Sequence, residues 1–381
     1  MKTTLLFLSA FLSANLFGQN VDIPDAIFKA YLVGNSEINT NGDNDIQASE
    51  ASVFDGTIAC QNLGISDLTG IEAFTALENL GCYGNQLTSL NLSQNTSLMQ
   101  LDCSNNQLTS IDLSQNNALF QLRCLSNQLI ILDVTQNTYL IDLNCASNQL
   151  TSLDVTQNIA LEKLACGVNE LTSLDVTQNT SLTRLFCQYN QLTSLDVSQN
   201  TSLDVLDCMY NQLTSLDVNH NSALESLYCA DNQLTILNTN GADALNDLFC
   251  YDNQLTALDV SQNTVLYYLD CADNLLTCLN VANGNNTWIS ALNNPNLTCI
   301  EVDDASDSST IWSEIDSQMY FSEDCNNDCS TSTVGINELS TSKNLIQILD
   351  MMGREALFKP NTPLIYVYDD GSIEKVFSVE Y

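Results

Sequence analysis

Ten cysteines stand 21 residues apart along this chain: Cys82, Cys103, Cys124, Cys145, Cys166, Cys187, Cys208, Cys229, Cys250 and Cys271. Ten asparagines, from Asn85 to Asn274, keep the same step. A period held this strictly means stacked repeats, in which each unit buries its apolar face against its neighbours. The first clean unit, beginning at Leu77, reads LENLGCYGNQLTSLNLSQNTS. The next begins at Leu98 and the tenth at Leu266.

Within a unit the pattern is L-x-x-L-x-C-x-x-N-x-L, followed by T-S-L-D-V-S-Q-N-T-x. The L-x-C stretch alternates as a short strand does, which points Leu80 and Cys82 inward and Asn79, Gly81 and Tyr83 outward. Copies are expected to stack as a parallel sheet with strands about 4.8 Å apart. Asn85 and its equivalents should turn inward at the corner and bond backbone groups that stacking leaves unpaired. The second half of the unit, Leu90-x-Leu92 or Leu153-x-Val155, is too short and too β-branched for a helix and supplies the opposite wall. Its polar residues, Asp or Asn, Ser or Thr, Gln and Asn, read as a monotonous outer face.

With Cys in the third apolar slot, this pattern matches the leucine-rich repeat signature. Nearly the whole chain resembles the internalin-like leucine-rich repeat proteins secreted by bacteria of the Bacteroidota type. The resemblance implies a β-rich solenoid with 21-residue repeats. Its parallel β-sheet lies on the concave face and its ends are capped. A secreted or cell-surface binding protein is implied, with the ligand left open.

The 381 residues include 46 acidic and nine basic side chains, for a net charge of −37. Such a balance argues against nucleic acid, whose phosphates demand Lys and Arg, and against an anionic membrane surface. It suits an extracellular surface and divalent cations. At the N-terminus, Lys2, the apolar run Leu5 to Phe17 and then Gly18 read as a secretory signal over residues 1–18. The run is too short for a membrane span, and no other stretch could cross a bilayer. A secreted or cell-surface location follows.

Residues 19–56 are expected to cap the solenoid. Asp25 to Val33 reads as a short amphipathic helix with Ile27, Phe28, Tyr31 and Leu32 on one face. The stretch after it is similar to an EF-hand calcium loop. Asn39, Asn41 and Asp43 fill positions one, three and five, Asp45 offers its carbonyl at seven, and Glu50 is the twelfth residue. Asn39 in place of Asp, and Asn44 in place of Gly, predict weak calcium binding. The alternative is an acidic turn capping a helix at Ser49.

The solenoid itself is expected over 57–303, opening with a degenerate repeat around Cys60. Residues 304–325, with Trp312, Ile315, Tyr320 and Phe321, read as the second cap. Residues 326–342 are rich in Ser, Thr and Asn and read as a linker. Residues 343–381 are β-rich, with a hairpin turn at Asp370-Gly371. They resemble the C-terminal sorting domain of type IX secretion substrates, which implies that export machinery as a partner. The alternative is a β-rich tail that completes the cap.

Fifteen cysteines in a secreted chain would ordinarily mean disulfides. In the ladder, however, parallel Cβ vectors hold neighbouring Cβ atoms about 4.8 Å apart, beyond the bridging range of about 3.5–4.5 Å. Buried free thiols are expected there. Cys278, Cys299, Cys325 and Cys329 allow three pairings, and one bridge is expected among them, unassigned.

Catalysis has little to work with. His220 is the sole histidine, and no nucleophile, base and orienting acid assemble around it. There is no phosphate loop and no HExxH. Asp207 and Asp247 could serve glycoside hydrolysis only as exposed carboxylates on the strand face. The outward strand positions are more telling. The solenoid's only basic residues, Arg123, Lys163 and Arg184, all fall there. Aromatics gather towards the C-terminal half: Phe186, Tyr189, Tyr210, Tyr228, Phe249, Tyr251 and Tyr268, with Met209 among them. Exposed Tyr and Arg are residues that interfaces favour, so these positions are read as the binding surface for a protein or glycan. Two alternatives remain: aromatics merely suit strands, or the chain is a structural coat without a specific ligand.

One electrostatic expectation concerns the opposite wall. Asp112, Asp133, Asp154, Asp175, Asp196, Asp217 and Asp259 share one outward position. Like charges stacked in register repel, which should raise their pKa values and make added salt or calcium stabilising near pH 7. Flanking Ser and Thr hydroxyls and Gln amides donating to each carboxylate, divalent cations bridging adjacent rungs, and partly protonated carboxylates are the ways this repulsion could be offset.

Overall fold

The computed structural model describes residues 18–285, 287–306, 314–326 and 329, together with the backbone of three strands between 345 and 377. Nearly all of the expected signal segment, Trp312, most of the expected linker and the side chains of the expected sorting domain lie outside the described residues.

Twelve three-residue strands make one all-parallel sheet, running in chain order from Thr57–Ala59 to Trp288–Ser290. Neighbours pair in register at the 21-residue step: Asn79 lies opposite Gln100, and Gln100 opposite Gln121. Only the ends depart, with Thr57 opposite Asn79 and Tyr268 opposite Trp288. The central residue of each strand is buried, and so is the residue that follows the strand, a cysteine in every case but the last, where it is Ala291. In the turn from Leu98 to Leu113, for example, Leu98, Leu101, Cys103, Leu108 and Leu113 join a core continuous along the solenoid. Cys60 and the ten ladder cysteines are free thiols. Burial pushes the thiols of Cys60, Cys103 and Cys145 up to about 12. A thiol held neutral in this way packs as a small hydrophobe and is a poor nucleophile.

The corner asparagines do what their spacing predicts. Asn106 is buried, and its Oδ1 accepts from Leu87 N at 3.0 Å. Its Nδ2 donates to Cys82 O at 3.1 Å and Cys103 O at 3.0 Å. A second ladder corrects the reading of the opposite wall. The Asn of each S-Q-N or T-Q-N is not on the outer face. Asn95, Asn116, Asn137, Asn158, Asn179 and Asn200 are fully buried, and so is Asn221 of the variant run Asn219-His220-Asn221. Asn116 Nδ2 donates to Leu92 O at 3.1 Å and Asn95 O at 2.9 Å, again tying one turn to the turn before.

The second wall becomes regular only late. Strands Ser215–Asp217 and Ile236–Asn238 pair with each other. Ala257–Asp259, Cys278–Asn280, Cys299–Glu301 and Tyr320–Ser322 form a further parallel sheet. Two disulfides hold this end: Cys278–Cys329, with Cα atoms 5.4 Å apart, and Cys299–Cys325, at 5.9 Å. The expectation of a single bridge is thus corrected to two.

At the other end, helix α1 (Ala26–Val33) begins at Asp25, whose carboxylate accepts from Ile27 N and Phe28 N. Phe28 and Leu32 are buried, and Tyr31 Oη accepts from Ala59 N of the first strand at 2.8 Å. Ile27 does not share that face; it is exposed. Helix α2 (Ala48–Ala51) follows the loop. Separately, Leu345–Asp350, Pro363–Tyr368 and Ile373–Phe377 form a three-stranded antiparallel sheet within a second compact unit, residues 331–381. Among the described residues, no helix is long and apolar enough to cross a membrane.

The aspartate ladder overturns the expected pKa direction. Asp133 Oδ1 accepts from Thr135 Oγ1 at 2.7 Å and Thr135 N at 2.9 Å. Asp154 and Asp175 do the same with Thr156 and Thr177. These hydrogen bonds hold the carboxyls of Asp133, Asp154 and Asp175 below their ordinary value, as bonds from Ser198 do for Asp196, and for Asp154 the neighbouring aspartates oppose this only weakly. Asp112 is lowered in the same way by Ser114. Local donors two residues away therefore outweigh repulsion along the stack. A folded pKa below the unfolded one contributes stability above the unfolded value, near pH 3.9, and loses it as pH falls through the folded value. Asp154→Asn keeps the acceptor and loses the charge. Its melting temperature should lie slightly below the parent's near pH 7 and converge on it between about pH 5 and 3, where the parent loses this contribution. A variant clearly more stable than the parent at pH 7 would restore repulsion as the dominant effect.

Candidate recognition surface

Four outward positions recur in each turn of the strand face: the first and third strand residues, the residue after the cysteine, and the next one. That last position is conformationally special. Asn105, Ser126, Ser147, Val168, Tyr189, Tyr210, Asp231, Asp252 and Asp273 all have φ near +50°, as Gly84 does at +68°. Gly, Asn and Asp enter this left-handed region at little cost. Val168 and the two tyrosines do not, and a β-branched residue there is an outlier. All three are also exposed, Val168 by 47%, Tyr189 by 50% and Tyr210 by 38%. Tyr189 and Tyr210 stack with ring centroids 4.1 Å apart, and hydrogen bonding to Tyr189 raises the Tyr210 hydroxyl pKa.

A second set of rings lies further along. Tyr228, Phe249, Tyr268 and Trp288 stack in series, with centroids 5.2, 4.9 and 4.4 Å apart. Trp288 escaped the sequence reading because the step shortens there: it lies opposite Tyr268, and a 21-residue step would land on Ile289. Its signal was the aromatic column it completes. Acids interleave with these rings. Burial raises the carboxyls of Asp207 and Asp270. It also raises Asp252, with Asp231 and Asp273 on either side adding to the effect. Tyr251 is half-buried and its hydroxyl is raised, first by burial and then by Asp231. Met209 is half-buried, and its N–H donates to Asp207 Oδ1 at 3.2 Å.

The basic residues sit at the other end of the face. Arg123, Lys163 and Arg184 line one shallow depression of about 370 Å³ with Tyr83, Asn144 and Phe186. Arg123 pairs with Asp142 at 3.1 Å, and Arg184 with Asp204 at 3.4 Å. The predicted site residues thus fall into a basic depression, a strained tyrosine patch and an acid-lined ring stack. No catalytic set accompanies them among the described residues: His220 is exposed on the opposite wall, and Asp247 accepts only a long bond from Ser226 Oγ at 3.4 Å.

The EF-hand-like loop directs its side chains at the protein. Asn39 is buried, with Nδ2 donating to Val33 O and Asp43 O and Oδ1 accepting from Gly42 N. Glu50 Oε1 accepts from Thr40 N, Thr40 Oγ1 and Asn41 N, and Oε2 accepts from Gln47 N in a capping box. Burial works to raise the Glu50 carboxyl, yet these bonds outweigh it and hold the pKa below its ordinary value. Asp45 is paired with Lys29. As folded, the side chains of Asn39 and Glu50 are held by donors and acceptors of the loop itself. Glu50→Ala should lower stability by about 1–2 kcal/mol through loss of the cap, equally with calcium and with chelator. A loss confined to the calcium-containing sample would make Glu50 a ligand instead.

No protein-family model and no curated protein matches the chain. Solved structures do. The functional domain of InlJ from Listeria monocytogenes, which includes a cysteine ladder, is 26% identical, with a TM-score of 0.55 over 95% of this chain and 100% of that one. The internalin InlF of the same organism is 20% identical, with a TM-score of 0.58 over 82% of this chain and 100% of that one. YopM, a leucine-rich effector protein from Yersinia pestis, is 23% identical, with a TM-score of 0.55 over 74% of this chain and 80% of that one. These neighbours are internalin-like and related leucine-rich repeat proteins, and this chain folds as a leucine-rich repeat solenoid.

Proposed function

We propose that the chain is a secreted or cell-surface binding protein that recognises a protein or glycan on its concave strand face. The observation that carries this reading is the exposed trio Val168, Tyr189 and Tyr210, held in the left-handed region. Asn or Gly at any of these positions would fold more easily. Apolar side chains kept on the surface at a conformational cost are a mark of function rather than of folding. A structural coat would need no such trio, and the same column carries Gly, Asn, Ser or Asp in its other turns. The extracellular location is supported by the Lys2, Leu5 to Phe17 signal pattern and the β-rich tail. That tail is proposed as the signal read by type IX export machinery.

Val168→Asn should raise stability by about 1 kcal/mol. In Tyr189→Asn/Tyr210→Asn, relief of strain should roughly offset the lost ring stacking, about 0.5–1.5 kcal/mol. Both variants should lose binding on glycan and extracellular-protein arrays probed with the full chain. Unchanged array binding with raised stability would show that the trio is dispensable for recognition.

Deleting Lys343 to Tyr381 should leave a folded solenoid retained in the periplasm. Normal surface appearance of that truncation would remove the sorting role.

A further inference from the structure

The basic depression holds an unresolved electrostatic problem. Between residues 30 and 342 the only Lys and Arg are Arg123, Lys163 and Arg184, and all three line it. Strand register sets Lys163 directly opposite Arg184, and like charges opposed in a sheet destabilise it. Two carboxylates line the depression as well, Asp102 (opposite Arg123) and Asp142, but neither forms an ion pair with Lys163 among the described residues. Asp142, opposite Lys163 on its other side, takes Gln121 Nε2 at 2.8 Å and Arg123 at 3.1 Å. Asp204 takes Arg184. Lys163 makes no ion pair among the described residues. A pair of cations left partly uncompensated is a site for an anion. The −37 charge of the whole chain does not forbid this, because screening confines the field to about 8 Å at physiological salt.

The rest of the lining narrows the ligand. Phe186, one residue beyond the strand centre Leu185, lines the depression half-buried and makes no ring–ring contact among the described residues. In the C-terminal half the inner rings of the series, Phe249 and Tyr268, have a ring on each face. Ser104, Asn105 and Asn144 add hydroxyl and amide groups around the depression. Its volume, about 370 Å³, lies within the range of small-ligand sites, about 300–1,000 Å³.

We propose that this depression binds an acidic saccharide, with the carboxylate or sulfate of one sugar unit on Lys163 and Arg184 and its ring against Phe186. The proposal rests on the strand face being the recognition surface and names a ligand class for it. The carboxylate or sulfate accepts charge-assisted hydrogen bonds, the strong class among polar contacts, while the sugar hydroxyls meet Asn144 and its neighbours.

The test is calorimetric titration of the full chain with four probes: a glucuronate-containing disaccharide, a sulfated disaccharide, an uncharged disaccharide and a poly-glutamate peptide. Saturable binding of either acidic disaccharide, weakened at higher salt, is expected, and the two identify which anion the site prefers. Lys163→Gln should cut that affinity at least tenfold while leaving the melting temperature equal to or above the parent's. Lys163→Arg should restore binding, which separates charge recognition from a packing role. Equal binding of the uncharged disaccharide, or an unchanged affinity in Lys163→Gln, would overturn the proposal. Binding of poly-glutamate alone would overturn it in favour of an acidic peptide. If the saccharides fail while array binding still depends on Tyr189 and Tyr210, only the ligand assignment falls, and the recognition surface stands.

Discussion

Every turn of this solenoid is joined to the one before it by primary amides. Strands of three residues cannot satisfy the backbone at the corners, where the chain leaves one wall for the next, and buried backbone groups left unpaired are costly. The Asn106 amide meets that need with one acceptor and two donor hydrogens, reaching Leu87 N, Cys82 O and Cys103 O. On the other wall only the donors are used. The Oδ1 atoms of Asn95, Asn116, Asn137, Asn158, Asn179, Asn200 and Asn221 are buried without a hydrogen-bond partner. Aspartate would bring a charge and no donor, and leucine would leave two carbonyls bare. Asparagine is the compromise. Asn263 shows the complete form: Thr239 stands where earlier turns have Leu or Val, and its Oγ1 donates to Asn263 Oδ1 at 2.9 Å.

With the inward positions committed to leucine, cysteine and asparagine, variation is confined to what faces solvent. The strand face uses that freedom unevenly. Its early turns carry the basic residues, its middle turns the strained tyrosines, and its later turns acids among stacked rings. Each segment has a different electrostatic character, set by side chains that do not contribute to closing the turns. Surface chemistry and folding are thus largely separated in this molecule, except in the left-handed column, where Val168, Tyr189 and Tyr210 work against the fold.

The strand face and the thiol ladder were legible because one period and one alternation govern them. Three features were hidden for physical reasons. The second asparagine ladder sits in a polar run, Ser-Gln-Asn, whose composition reads as surface although one residue in three points inward. The aspartates could be read as repelling charges or as carboxylates held by flanking Ser and Thr. Sequence alone does not weigh the two, and the hydroxyl and N–H donors two residues on, Ser or Thr after every one but Asp217, decide for the second. The loop at Asn39–Glu50 has the residue types of a calcium site, but spacing does not reveal whether Glu50 faces an ion or the N–H groups of Thr40, Asn41 and Gln47. The left-handed column left a trace in Gly84, Asn105 and Asp231, which Val168 and the tyrosines obscured.

The amide joints have one more consequence. Asn116 reaches only residues 95 and 92, and Asn179 only 158 and 155. No joint spans more than a single turn, and successive joints are chemically alike. A block of 21 residues cut at equivalent points could be duplicated or excised, and every new seam would find the donors and acceptors it needs. A block one residue longer or shorter would not, and such irregular steps occur here only beside the two ends of the sheet. Length in this molecule is therefore a quantity that gene rearrangement can change in whole turns, while point mutation edits the face that each turn displays.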